Sequence, residues 1–193
     1  MAKRGPYGKG IERREQILEA ALHTIAERGF LATSVAELAE AVGLSQSGLL
    51  HYFGSKEELF IAVLRKRDEI DAAAIGDPTP DALIRIIRRN TQVPGLIELF
   101  THMQAAAADP RHPAHEYMRL RYELGTAGLA ELLRSMKRAG NIPETVDPEV
   151  MATVFMALSD GLQSRWLIDP TIDMEFYLQQ CWAQFTGMTF PGA

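Results

Sequence analysis

The stretch VGLSQSGLLHYFGSKEELF, Val42–Phe60, carries three Ser, three Gly and a His–Tyr–Phe triplet in nineteen residues. A helix made for a hydrophobic core would not be composed this way. Ser45 is placed to cap a short helix, with Leu44 and Leu49 as a hydrophobic staple across its start. That helix ends near Phe53–Gly54. Ser55 followed by Glu58 then forms a capping box for another helix, reaching about Ala74 with Leu59, Phe60, Val63 and Leu64 inward. Upstream, Ser34 and Glu37 make a similar box. Val35, Leu38, Ala39 and Val42 follow it at i, i+3, i+4, i+7, and Gly43 closes that helix. Before it, Ile17, Leu18, Ala21, Leu22 and Ile25 give one apolar face to a helix from Ile11 to Arg28, ended by Gly29.

Two short capped helices across a Gly-containing turn make a helix-turn-helix, whose second helix enters the DNA major groove. Here that helix is Ser45–Tyr52. Leu49 and Phe53 suffice to anchor it. Its other positions, Gln46, Ser47, Gly48, His51 and Tyr52, are small or hydrogen-bonding. Gln46 can bind an adenine edge bidentately and Ser47 can pair with several bases. Gly48 costs about 1 kcal/mol relative to Ala in a helix, a cost that close backbone approach to DNA would justify. The helix starts at Thr33–Ser34 and Ser55–Lys56 are expected phosphate sites, with Lys56 the contacting cation. The expected DNA-binding set is therefore Thr33, Ser34, Ser45, Gln46, Ser47, Gly48, His51, Tyr52 and Lys56.

Net charge is −5 over 193 residues, which does not advertise a polyanion ligand. The charge is uneven, however. Residues 1–56 are net +1, the remainder is net −6, and 41–56 contain no acid. The single Cys181 excludes an intrachain disulfide and suits a reducing cytoplasm. No apolar run approaches the roughly 20 residues of a membrane span, and the basic start MAKRGPYGKG is not followed by a signal-peptide core.

The whole chain reads as helix. The segment IGDPTPD, Ile75–Asp81, marks a domain boundary. Beyond it the pattern predicts helices near 80–91, 94–108, 113–139, 147–168 and 173–187. Thr79–Pro80 and Asp147–Pro148 set Pro at the first helical position behind a capping residue. The expected division is a flexible basic N-terminus (1–10), a helix-turn-helix domain (11–55), a connecting helix (56–75) and a larger helical domain (76–193).

The segments IERREQILEAALHTIAERGF and TSVAELAEAVGLSQSGLLHYFGSKEELF resemble the DNA-binding region of the TetR family of bacterial transcriptional regulators, over roughly residues 11–64. That family ordinarily has Tyr at the position of Leu50 and often Thr at that of Gly48, so one expected contact is absent here. The resemblance implies an all-α homodimer with a larger C-terminal ligand-binding and dimerisation domain, usually a repressor. It implies that a small molecule bound there shifts the fourth helix, parts the recognition helices and releases a double-stranded operator. Activation, or ligand-dependent DNA binding, is an alternative within the family.

The C-terminal region carries no chemical motif. An apolar effector pocket with a few polar anchors is expected from Leu96, Phe100, Met103, Tyr117, Arg121, Tyr122, Phe155, Gln163 and Trp166. The last two helices are the expected dimer face, through Val154, Leu158, Trp166, Tyr177, Cys181 and Phe185. His112, His115 and Glu116 have near-metal spacing, but Pro113 interrupts them and no Cys is close, so no metal and no cofactor is expected. No nucleophile triad, phosphate loop or HExxH motif supports the competing reading of an all-α enzyme. A second competitor is a helix-turn-helix that contacts protein; salt-independent binding would mark it, whereas DNA binding weakens steeply with salt.

Overall fold

The computed structural model describes residues 6–76 and 79–188. In chain order these hold α1 (Pro6–Arg28), α2 (Val35–Ala41), α3 (Gln46–His51), α4 (Lys56–Ile75), α5 (Pro80–Asn90), α6 (Pro94–Ala106), α7 (Ala114–Arg138), α8 (Pro148–Ile168) and α9 (Met174–Thr186). There is no strand among the described residues. The protein is all-α, as its periodicity predicts.

The caps explain where most helices begin. Ser34 and Glu37 close a full capping box on α2. Ser45 Oγ accepts from Gly48 N at 3.1 Å and Ser55 Oγ from Glu58 N at 3.0 Å. Thr79, Asp147 and Asp173 cap α5, α8 and α9 in the same way. Gly43 takes φ 66° in the turn between α2 and α3, a conformation that L side chains disfavour. The start of α1 differs from expectation. It lies at Pro6 rather than Ile11, because Pro is suited to a first helical turn, where its missing N–H has no partner to lose. Residues 6–10 therefore belong to α1. Lys3 and Arg4 of the expected basic arm lie outside the described residues, as do Asp77 and Pro78 of the expected linker.

Two apolar cores organise the chain. The first joins α1, α2, α3 and α4 to Leu96, Leu99, Phe100 and Met103 of α6 and to the start of α7. The second joins α5, α7, α8 and α9 around Leu133, Met151, Leu178 and Trp182. α6 serves both, since its Ile97 points into the second. Leu59 through Leu64 of α4 are all buried in sequence. A helix apolar on every side is one enclosed on every side. The helix-turn-helix thus packs on α4 and α6 and does not stand on a free linker.

The α1–α6 joint is close. The α6 side chain of Glu98 accepts from Phe30 N at 3.0 Å, just past the end of α1. Phe30 packs edge-on to Phe60 at 5.0 Å and against His102 at 5.2 Å. Lys66 of α4 pairs with Glu15 of α1, and Arg13 donates to the Val42 carbonyl, tying α1 to the turn before α3.

Candidate functional site

α3 presents Ser45, Gln46, Ser47 and His51 to solvent, while Leu49 on its opposite face is fully buried. Its exposed face is therefore the polar one, held by a single deep anchor. A methyl group at Gly48 would meet only Ser45 Oγ at 3.1 Å and Leu44 Cβ at 4.0 Å, so no buried backbone requires glycine there. Tyr52 is half-buried beside His51, their rings 6.4 Å apart. Lys56 is exposed at the first turn of α4, with Nζ 5.7 Å from the Phe60 ring centre.

The two expected residues before α2 are differently employed. Thr33 is buried and donates its hydroxyl to the Gly29 carbonyl at 2.7 Å. Ser34 Oγ donates to Glu37 Oε2 and accepts from Glu37 N, so its proton and one lone pair are engaged. Bonds from the Ser34 backbone and hydroxyl, with Arg28 nearby, hold the Glu37 carboxyl below its usual range. A carboxylate thus sits at the start of α2, where a phosphate was expected.

A cavity of ≈ 620 Å³ lies between α4, α5, α7 and α8. It brings together four of the nine expected pocket residues: Tyr117, Arg121, Phe155 and Gln163. Leu96, Phe100 and Met103 are instead buried in the first core. Tyr122 lines a neighbouring groove of ≈ 470 Å³, and Trp166 packs against the second core. Leu96, Phe100 and Met103 depart for one reason: α6 is consumed by holding the helix-turn-helix, and α4 takes its place as the cavity wall.

α4 supplies what sequence reading missed, namely Arg67, Asp68 and Asp71. Arg67 follows Phe60, Val63 and Leu64 at i+7, i+4 and i+3, so an apolar stripe ending in Arg was the available signal. Tyr117 donates to Asp68 Oδ2 at 2.6 Å, and Arg121 Nε donates to the same oxygen at 3.2 Å. Arg121 lies 4.7 Å over the Phe100 ring, a cation–π contact inside the protein. Arg67 Nη2 donates to Asn90 Oδ1 at 2.9 Å, and Asp71 lies between Arg67 at 3.6 Å and Arg89 at 3.4 Å. At the other end Leu83, Ile86, Leu124 and Met156 make the wall apolar.

Asp160 of α8 lines both this cavity and the groove. Gln104 Nε2 donates to it at 3.1 Å and the Tyr122 hydroxyl also hydrogen-bonds it. Burial pushes its carboxyl up from 3.8, against the pull of Tyr122 and Arg121, and burial pushes the Tyr122 phenol up to about 12. A raised carboxyl binds its proton more tightly folded than unfolded. Its contribution to stability is therefore present at low pH and lost as pH rises through the folded value. Asp160→Asn is expected to raise the thermal midpoint at pH 7.5, with the gain vanishing near pH 3.5, where Asp160 itself is protonated. Thermal scans of both proteins across that range check this; a variant less stable at neutral pH would refute it.

His115 Nδ1 is 2.8 Å from the Ala107 carbonyl and His112 Nδ1 accepts from Ala114 N, so both rings close the α6–α7 loop. Among the described residues no three His, Cys, Asp or Glu cluster as metal ligands, and no helix is long and apolar enough to cross a membrane. Of the expected dimer residues, Val154, Tyr177 and Phe185 are exposed, with Val150 and Phe176 beside them. Leu158 is partly buried against the second core. Cys181 is half-buried, and burial pushes its thiol pKa up, away from reactivity.

A capped helix-turn-helix on an all-α body with an internal cavity defines a DNA-binding regulator of transcription. Residues 17–63 match the family of bacterial regulatory proteins, tetR family. It is 29% identical over 156 residues to the HTH-type transcriptional repressor Rv1474c of Mycobacterium tuberculosis, covering 79% of this chain and 81% of that one. It is 40% identical over 89 residues to the HTH-type transcriptional regulator BetI of Rhizobium meliloti, where it spans only 44% of the relative's length. A TetR-family regulator from Rhodococcus sp. superposes over 91% of this chain and 98% of its own, with TM-score 0.71 and 24% identity. AibR, solved with isovaleryl coenzyme A and operator DNA, covers 90% of this chain and 98% of its own with TM-score 0.60 and 21% identity.

Proposed function

We propose that the protein is a homodimeric, cytoplasmic repressor that holds a palindromic operator through α3 and releases it when a small molecule fills the cavity between α4, α5, α7 and α8. The observation that carries DNA reading is the exposed row Ser45, Gln46, Ser47 and His51 on a helix anchored by buried Leu49. The observation that favours ligand control is the position of α4. Its first turn carries Lys56 on the DNA side, and Arg67 and Asp68 about three turns later line the cavity. A ligand that displaces α4 would move the DNA head with it. Ligand and DNA then weaken each other by one common factor. Dimerisation is supported by the exposed apolar strip of Val150, Val154, Phe176, Tyr177 and Phe185 on α8 and α9, which a second copy would cover. The expected mass in light scattering is about twice the chain's 21.4 kDa; a monomeric mass would refute the dimer.

Selection of bound sequences from random duplex DNA tests the reading. A palindrome with half-sites about one helical turn, 34–36 Å, apart is expected. On the selected site, Gln46→Ala should cost about 1–3 kcal/mol at one base pair per half-site. Lys56→Ala should weaken all sequences alike and flatten the salt dependence. If both variants bind as the parent does, α3 and the α4 start are not the contacting face. Enrichment of no sequence, with and without small-molecule extracts, would refute operator binding.

A further inference from the structure

Among the described residues, three buried polar atoms of the cavity lining have no hydrogen-bond partner: Arg67 Nε, which lies 3.6 Å from Asp71 Oδ2 in an ion pair, Arg121 Nη1 and Gln163 Oε1. Gln163 is only 4% exposed. Its Nε2 donates to the Ser159 carbonyl at 3.4 Å. Exchanging the two ends of that amide would set oxygen against oxygen, so the free atom is the acceptor. Leaving a buried donor and a buried acceptor unmade is costly unless something else meets them.

The buried charges of the wall are already matched; Arg65 at the exposed rim lies over the Tyr117 ring, 5.1 Å from its centre. Arg121 is paired with Asp68, and Arg67 with Asp71, which Arg89 also neutralises. Asp160 is met by an amide and a phenol, and burial favours its protonated form. An anionic head would have to displace Asp68 from Arg121. A cationic head would be driven against two guanidinium groups. Beyond the Arg67–Asp71 ion pair, the unmet buried capacity is one donor, Arg121 Nη1, and one acceptor, Gln163 Oε1. The rest of the wall, with Leu83, Ile86, Phe155 and Met156, is apolar.

We infer that the effector is an uncharged amphipath whose polar head carries a hydrogen-bond acceptor beside a donor, as in a carboxamide or lactam, on an apolar body. The acceptor takes Arg121 Nη1 and the donor serves Gln163 Oε1. This rests on the cavity being the effector seat, so the test separates the two claims. Octanamide, octanoate and octylammonium share a tail and differ in head charge. Each is titrated by calorimetry at pH 7.5 into the full chain, into Gln163→Leu, and into Leu120→Trp, whose larger indole narrows the cavity. Octanamide is expected to bind at least tenfold more tightly than either ion. Gln163→Leu should weaken octanamide about tenfold, leave octanoate unchanged, and keep or raise the thermal midpoint, because an unpaired buried oxygen is removed. Leu120→Trp should weaken octanamide binding. Octanoate or octylammonium binding as tightly as octanamide, with sensitivity to Leu120→Trp, overturns the uncharged head and leaves the cavity as the seat. Binding of none, or binding indifferent to Leu120→Trp, overturns the seat and the inference together.

Discussion

Gly95→Ala is expected to lower the thermal midpoint by roughly 5–10 °C and to abolish operator binding. Gly95 opens α6 against the end of α1. A methyl there would overlap the Ile25 carbonyl oxygen and lie 2.8 Å from Gly29 Cα. Both obstacles are backbone, and the Ile25 carbonyl already accepts from Gly29 N at 3.0 Å to close α1. Neither can turn aside as a side-chain tip would. Overpacking of this kind costs about 1–3 kcal/mol or more, and each kcal/mol moves the midpoint about 2–4 °C in a chain of this size. Relief by parting α1 from α6 would break the Glu98 bond to Phe30 N and tilt the whole helix-turn-helix. Gly128→Ala is the matched control. A methyl at Gly128 in α7 meets nothing within 4 Å, so the better helix propensity of Ala should stabilise by up to about 1 kcal/mol. If the two variants melt alike, the close α1–α6 approach does not hold the DNA head.

That joint also marks what the chain spells out and what it leaves unsaid. The caps at Ser34, Ser45, Ser55, Thr79 and Asp147 are local devices: each needs only a hydroxyl or carboxylate and an amide two or three residues on. They were legible, and with them the helix order and the recognition helix. The partners of α6 were not. Leu96, Phe100 and Met103 have the spacing of any inward face, and nothing local says that this face meets Ile25 and Phe30 rather than a ligand. The four cavity residues that were anticipated come from α7 and α8, where polar groups interrupt apolar faces. The α4 contribution was hidden because Arg67, Asp68 and Asp71 look like a solvated helix surface until α5 and α7 close over them. The carboxylate of Glu37 was read as a cap, and its consequence for a phosphate at the same helix end emerges only from its bonds to Ser34.

Arg67→Ala is expected to cost about 3–5 kcal/mol, the range for removing one member of a buried ion pair. Arg67 is 6% exposed. Burial pulls its pKa down, but Asp71 and Asp68 oppose that and the guanidinium stays charged. It ties three elements at once: Asp71 on its own helix, Asn90 at the end of α5, and the Leu96 carbonyl of α6, the last a long bond at 3.4 Å. Without it, Asn90 Oδ1 is left buried with no donor, and Asp71 keeps only the half-exposed Arg89. Arg67→Met, which keeps the stem and its packing, should recover part of the loss. The pH dependence gives the charge away. Burial already raises the Asp71 carboxyl from 3.8 against the pull of Arg67, and losing that guanidinium raises it further. A raised acid contributes stability at low pH that is lost as pH rises through its folded value. The deficit of Arg67→Ala should therefore be larger at pH 7.5 than at pH 4. Chemical denaturation of the two proteins at both pH values reads this directly. A deficit that does not change with pH would assign the loss to packing alone and remove Arg67 as the charged tie between the cavity and the helices that carry the DNA head.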